Sequence, residues 1–84
     1  GSPRSLMEAA AMAKPIVTTN VAGCNQVVVN GFNGLLCESH NAEDLADKML
    51  KMMKLSDASL QLMGECGRRK METEFSDTII VERY

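Results

Sequence analysis

Basic charge in excess, aromatic bulk, histidine and paired cysteines are all in short supply in this 84-residue sequence. Nine Lys and Arg stand against eleven Asp and Glu, a net charge of −2. That argues against the basic footprint a nucleic-acid partner needs. The one basic cluster, Arg68-Arg69-Lys70, is followed by Glu72 and Glu74. It reads as a solvated, salt-bridged helix face. One histidine (His40) and three cysteines (Cys24, Cys37, Cys66) without a C-x-x-C spacing fall short of a zinc ligand set. An odd number of thiols fits a reduced, cytoplasmic chain. No apolar run approaches the roughly 18–20 residues needed to cross a bilayer, and no signal peptide is visible. Phosphate-binding loops, dinucleotide fingerprints, H-E-x-x-H, G-x-S-x-G and D-x-D are all absent. No metal or other cofactor is therefore expected. Gly1-Ser2 has a composition that fits either a native start or a cloning remnant.

What is present is a foldable composition, 45% apolar, in a chain near the lower size at which one core suffices. Aromatics amount to Phe32, Phe75 and Tyr84, so Leu, Ala, Val, Ile and seven Met must fill the interior. The halves differ: residues 1–40 carry four charges and residues 41–84 the other sixteen.

Pro3 suits the first turn of a helix. Leu6, Met7, Ala10, Ala11 and Ala13 follow at helical spacing, and Pro15 stops the run. Ile16-Val17-Thr18-Thr19 reads as a buried strand of a parallel sheet. Asn25–Val29 fits either a short strand or a helical turn. The two Asn-Gly pairs of residues 30–34 mark a turn, and Leu35-Leu36-Cys37 a second strand. Ser39 or Asn41 caps the next helix, with Glu43 and Asp44 in its first turn and Leu45, Ala46, Met49, Leu50 and Met53 as its expected buried stripe. Ser56 caps a third helix. Its face runs through Leu60, Met63, Gly67, Met71 and Phe75, with Gly64 and Gly67 marking close packing or a kink. Ser76 begins a last segment. The fold class is α/β: helix, strand, loop, strand, then three helices. Two short strands do not make a stable sheet alone, so the pattern is that of part of a larger sheet domain.

The chemistry available sits at the first helix. A helix start beside the carboxyl ends of parallel strands is a site for phosphate. Glu8, about one turn in, can accept hydrogen bonds from a neighbouring diol. The plainer alternative is a capping box, Ser5-Leu6-Met7-Glu8, with Glu8 reaching back to the Ser5 N–H.

The stretch "PRSLMEAAAMAKPIVTTNVAGCNQVVVNGFNGLLC" resembles the C-terminal nucleotide-sugar-binding region of family 4 (group 1) glycosyltransferases, which have the Rossmann-like, two-domain GT-B fold. Pro3, Leu6, Glu8, Ala9, Pro15, Val17, Thr19, Gly23, Val28, Gly31, Asn33, Gly34 and Leu36 fall in register with the family pattern. "MGECGRRKMETEFS" is similar to its later G-x-x-G-R helix, and residues 76–84 to the start of its closing helix. On this resemblance residues 1–84 are a partial donor-binding domain.

The resemblance implies a retaining, metal-independent transfer from a nucleoside-diphosphate sugar, a UDP-sugar by expectation. The acceptor is a glycan or lipid-linked molecule in cell-surface polysaccharide synthesis. Glu8 is the second Glu of the family's E-x7-E motif and contacts the donor ribose. The first, which contacts the sugar, falls immediately before Gly1. Backbone N–H groups of Arg4 and Ser5 hold the diphosphate. No catalytic residue lies in the chain itself, so it is expected to be inactive without the acceptor domain. The whole enzyme is expected in the cytoplasm, with peripheral attachment at the inner membrane face. Ala13, Ala22 and Gln26 depart from the family's usual Gly, Gly and Glu. The competing expectations are a non-catalytic α/β binding module, in which Glu8 only caps, and a helical interaction domain resting on residues 41–84. A truncated sheet also predicts self-association.

Overall fold

The computed structural model describes residues 3–74. Phe75 and the expected closing helix at 76–84 lie outside them. The elements are α1 (Pro3–Ala11), β1 (Ile16–Thr19), α2 (Cys24–Val27), β2 (Gly34–Cys37), α3 (Ala42–Lys54) and α4 (Asp57–Glu74). The ambiguous stretch after β1 is thus a helical turn, and β2 starts one residue earlier than the apolar run suggests.

β1 and β2 pair in parallel, with Ile16 opposite Gly34 and Thr19 opposite Cys37. The Asn20 N–H extends the pairing by donating to the Cys37 carbonyl at 2.7 Å. One sheet face carries α1, α2 and α4 over a shared core of Leu6, Ala10, Ile16, Cys24, Val27, Val28 and Met71. The other face carries α3, which touches both strands. Ile16 and Thr18 point to the first layer and are buried, while Val17 and Thr19 are only half-buried. Full burial of Val27, Val28 and Met71 gives each about 1.5–3 kcal/mol of hydrophobic stabilisation.

α1 ends where Ala13 takes a left-handed φ of 58°. The N–H of Lys14 donates to the Ala9 carbonyl and that of Ala13 to Ala10, both at 3.0 Å, a Schellman closure. The Ala13 carbonyl then lies where a side chain on Gly64 would stand, and Gly67 faces Asn33 and Ala10. The two α4 glycines therefore allow close packing, and α4 stays one continuous helix.

The connection between α2 and β2 is held by Asn33, which is fully buried. Its amide nitrogen donates to the Val27 carbonyl at 2.8 Å, and its Oδ1 accepts from the Val29 N–H at 2.7 Å. Asn41 caps α3 by accepting from the Asp44 N–H at 2.9 Å. Ser56 caps α4 by accepting from the Ser59 N–H at 3.1 Å. Ser39 has no such role.

The expected buried stripe of α3 is a correction. Leu45, Ala46, Met49, Leu50 and Met53 are exposed, and no residue of this helix is buried. The residues turned toward the sheet are Asp44, Lys48 and Met52, all half-buried. Leu45 lines a cleft with Thr19 and His40, whereas Asp44 and Lys48 line one with Asn30 and Leu36. The apolar arc therefore points past the β1 side of the sheet. Two strands are too narrow to lie beneath it.

Candidate functional site: a helix start at the strand ends

α1 begins at the carboxyl end of β1. The contact that places it there is between Pro3 and Gly23, in the β1–α2 loop. Gly23 has a φ of 90°, and a Cβ on it would stand 3.0 Å from Pro3 Cγ. Only glycine accepts both that backbone and that approach without strain. The loop is braced across its base, with the Asn25 amide donating to Asn20 Oδ1 at 3.1 Å.

Arg4 and Ser5 occupy the first turn of α1, whose N–H groups point out of the helix start. No acidic residue lies in that turn, so nothing there opposes an anion through the helix dipole. Ser5 is the third residue of α1 rather than its N-cap. The capping-box alternative is therefore corrected: Pro3 already belongs to the helix and moves the start upstream of Ser5. Glu8 is exposed and lies 3.7 Å from the Arg4 guanidinium across one helical turn. Such an exposed pair is worth a few tenths of a kcal/mol, so the carboxylate can change partners at small cost. The structure gathers Arg4, Ser5, Glu8 and the Gly23 loop at one end of the sheet.

A second polar cleft, of about 370 Å³, lies off the end of β2 and is lined by Asn20, Asn30, Glu38, Asn41, Asp44 and Lys48 among others. Its anchor is Asp44, which accepts from Lys48 Nζ at 2.8 Å and from the Glu38 N–H at 2.7 Å. The Lys48 bond, then that from Glu38, holds the Asp44 carboxyl below its ordinary value. The bond to Asp44 raises Lys48 in turn. Both Asp44 oxygens are engaged, so this pair serves to pin β2 to α3.

Sequence reasoning missed the bracing roles of Asn20, Asn25 and Asn33. The first two face each other only because the loop folds back, and nothing in their spacing marks this. Among the described residues no group of three or more His, Cys, Asp or Glu is placed to hold a metal. Among the same residues no helix is long and apolar enough to cross a membrane.

Residues 1–70 match the family model for glycosyl transferases group 1. Over 77 residues the chain is 39% identical to the capsular polysaccharide biosynthesis glycosyltransferase CapM of Staphylococcus aureus, covering 90% of this chain and 20% of that protein. It is 32% identical over 84 residues to N,N'-diacetylbacillosaminyl-diphospho-undecaprenol alpha-1,3-N-acetylgalactosaminyltransferase of Campylobacter jejuni, covering 100% of this chain and 22% of that one. Poly(ribitol-phosphate) alpha-N-acetylglucosaminyltransferase of Staphylococcus aureus is 28% identical over 85 residues, covering 100% and 17%. The chain thus spans about a fifth of the length of these curated relatives. The parallel strands between helical layers and the helix start at their carboxyl ends agree with the Rossmann-like half of a GT-B fold. With the family model spanning most of the chain, it belongs to the group 1 glycosyl transferases.

Proposed function

We propose that the chain forms part of the donor-binding domain of a retaining glycosyltransferase, with α1 as the nucleotide-facing helix. The donor is a nucleoside-diphosphate sugar, with a UDP-sugar as the first candidate. The acceptor is a glycan or lipid-linked molecule of the cell surface, as the names of the CapM, undecaprenol-linked and poly(ribitol-phosphate) relatives suggest. The single observation that carries this reading is the Pro3–Gly23 contact, which sets the start of α1 at the strand ends.

In this reading the N–H groups of Arg4 and Ser5 hold the diphosphate, and the Glu8 carboxylate accepts hydrogen bonds from the ribose hydroxyls. Donor binding then exchanges the weak Arg4 pair for the ribose. Helix N–H groups aimed at the departing diphosphate stabilise charge as it develops. A second acidic residue at the sugar, and the acceptor domain, are to come from elsewhere in the enzyme. Transfer needs no metal. The enzyme works in the cytoplasm, peripheral to the inner membrane face.

The test is Glu8→Ala and Glu8→Gln in the full-length enzyme. A lost hydrogen bond to a charged group is worth about 1.5–3 kcal/mol, so donor affinity or kcat/KM should fall about tenfold or more. Folding stability should change by less than about 0.5 kcal/mol, because the Arg4 pair is exposed. Variants that bind donor normally but melt early would make Glu8 a structural residue and overturn the assignment.

A further inference from the structure

We propose that the outer edge of β2 is sealed against strand addition, with Asn30 and Asp44 standing in for a third strand, so that the sheet grows only past β1. Successive residues of a strand turn their backbone groups to alternate edges. The Cys37 carbonyl takes the Asn20 N–H, so the backbone of Cys37 faces β1. That of Gly34, Leu36 and Glu38 faces outward. An outward edge is a row of donors and acceptors open to any extended chain. Here the row is occupied. The Leu36 N–H donates to Asn30 Oδ1 at 2.9 Å, and the Glu38 N–H to Asp44 Oδ2 at 2.7 Å. The Gly34 carbonyl accepts from the Gly31 N–H at 2.8 Å, and Asn30 bridges Gly34 in parallel register.

The two side-chain acceptors reach the edge from opposite directions in sequence. Asn30 comes from the turn that leads into β2, and Asp44 from the first turn of the helix that follows it. Gly31 has a φ of 83°, a left-handed bend at which the chain turns back beside the strand. Both side-chain bonds are exposed, where water satisfies the same groups. Stability alone therefore does not call for them, whereas excluding another strand does. β1 is the contrast. Val17 and Thr19 turn their backbone groups away from β2, and among the described residues no third strand pairs with them. A sheet open on one side and closed on the other has one direction of growth. An extended segment of a second copy, or of another protein, is denied the β2 edge.

The experiment compares the full-length enzyme with its Asn30→Ala/Asp44→Ala double variant, by sedimentation velocity over a range of concentrations and by amide hydrogen exchange. In dilute protein the Leu36 amide should exchange about tenfold faster in the variant. As concentration rises the variant should form dimers or larger species with an unchanged circular dichroism spectrum, and the Leu36 amide should regain protection in them. Asn30→Ala alone serves the same purpose should the double variant fail to fold. Asn30→Asp keeps an acceptor for the Leu36 N–H and should behave as wild type. Ser56→Ala removes the α4 cap and no acceptor of this edge, so it should associate no more than wild type. Unsealed variants that associate no more than wild type overturn the proposal. Association without renewed protection at Leu36 places the contact elsewhere and also overturns it. So does an Asn30→Asp enzyme that associates like Asn30→Ala. Equal association by Ser56→Ala would make lowered stability the cause and would overturn it as well.

Discussion

At the scale of single residues, backbone conformation decides more than side-chain chemistry. Ala13 holds a left-handed φ of 58°, which an L-residue adopts at a cost of about 1 kcal/mol. Ala13→Gly should therefore stabilise the chain by about 1 kcal/mol, read as a raised urea midpoint at constant m-value. Gly64 tests the same junction from the other helix. Its missing side chain is what lets the Ala13 carbonyl approach α4. Gly64→Ala gains helix propensity but forces the helices apart, and should cost about 1–3 kcal/mol. The family resemblance marked position 13 as a place where glycine is usual. Nothing in sequence marked Gly64 as its partner, because the pairing exists only once α4 folds back over α1. Glu8 illustrates a different gap. Its spacing from Ser5 fits a capping box, yet Pro3 starts the helix earlier, so the same two letters sit at other positions of the first turns.

At the scale of elements, punctuation was legible and direction was not. Pro15, the Asn-Gly pairs, Asn41 and Ser56 each marked an end or a cap from local backbone preference alone. The width of the α3 apolar arc was equally plain, but periodicity says nothing about which neighbour the arc faces. That is settled by Asp44, which ties the start of α3 to the chain leaving β2. Asn41→Ala removes the cap and should cost about 1 kcal/mol, measured by denaturant titration. Asp44 gives this junction a pH dependence. Its folded pKa is below the ordinary 3.8, so its contribution is present above that value and fades as the pH falls below about 4. Lys48 is shifted up from 10.5, so its contribution holds below that value and fades as the pH climbs above it. Stability should be flat between about pH 5 and 10 as far as this pair is concerned, and Asp44→Asn should flatten the acid limb. Thermal melts of the two chains across pH 2–6 check it.

At the scale of the whole molecule, the two layers are unequal. One face of the sheet holds nearly all of the core, and the other holds a helix with its apolar side out. The buried amide of Asn33 carries a consequence for how long such a molecule lasts. Asn-Gly pairs age: in a mobile chain the glycine nitrogen attacks the asparagine side-chain carbonyl, ammonia leaves, and water opens the resulting cyclic imide to isoaspartate or aspartate. In the folded chain Asn33 is clamped by Val27 and Val29, away from that attack. Each unfolding exposes Asn33-Gly34 to it. An aspartate formed there would return to a pocket where the Val27 carbonyl needs a donor, so acceptor would meet acceptor, at a cost of about 1–3 kcal/mol or more. The clamp therefore works as a guard against chemical ageing, and time spent unfolded is recorded covalently at one position.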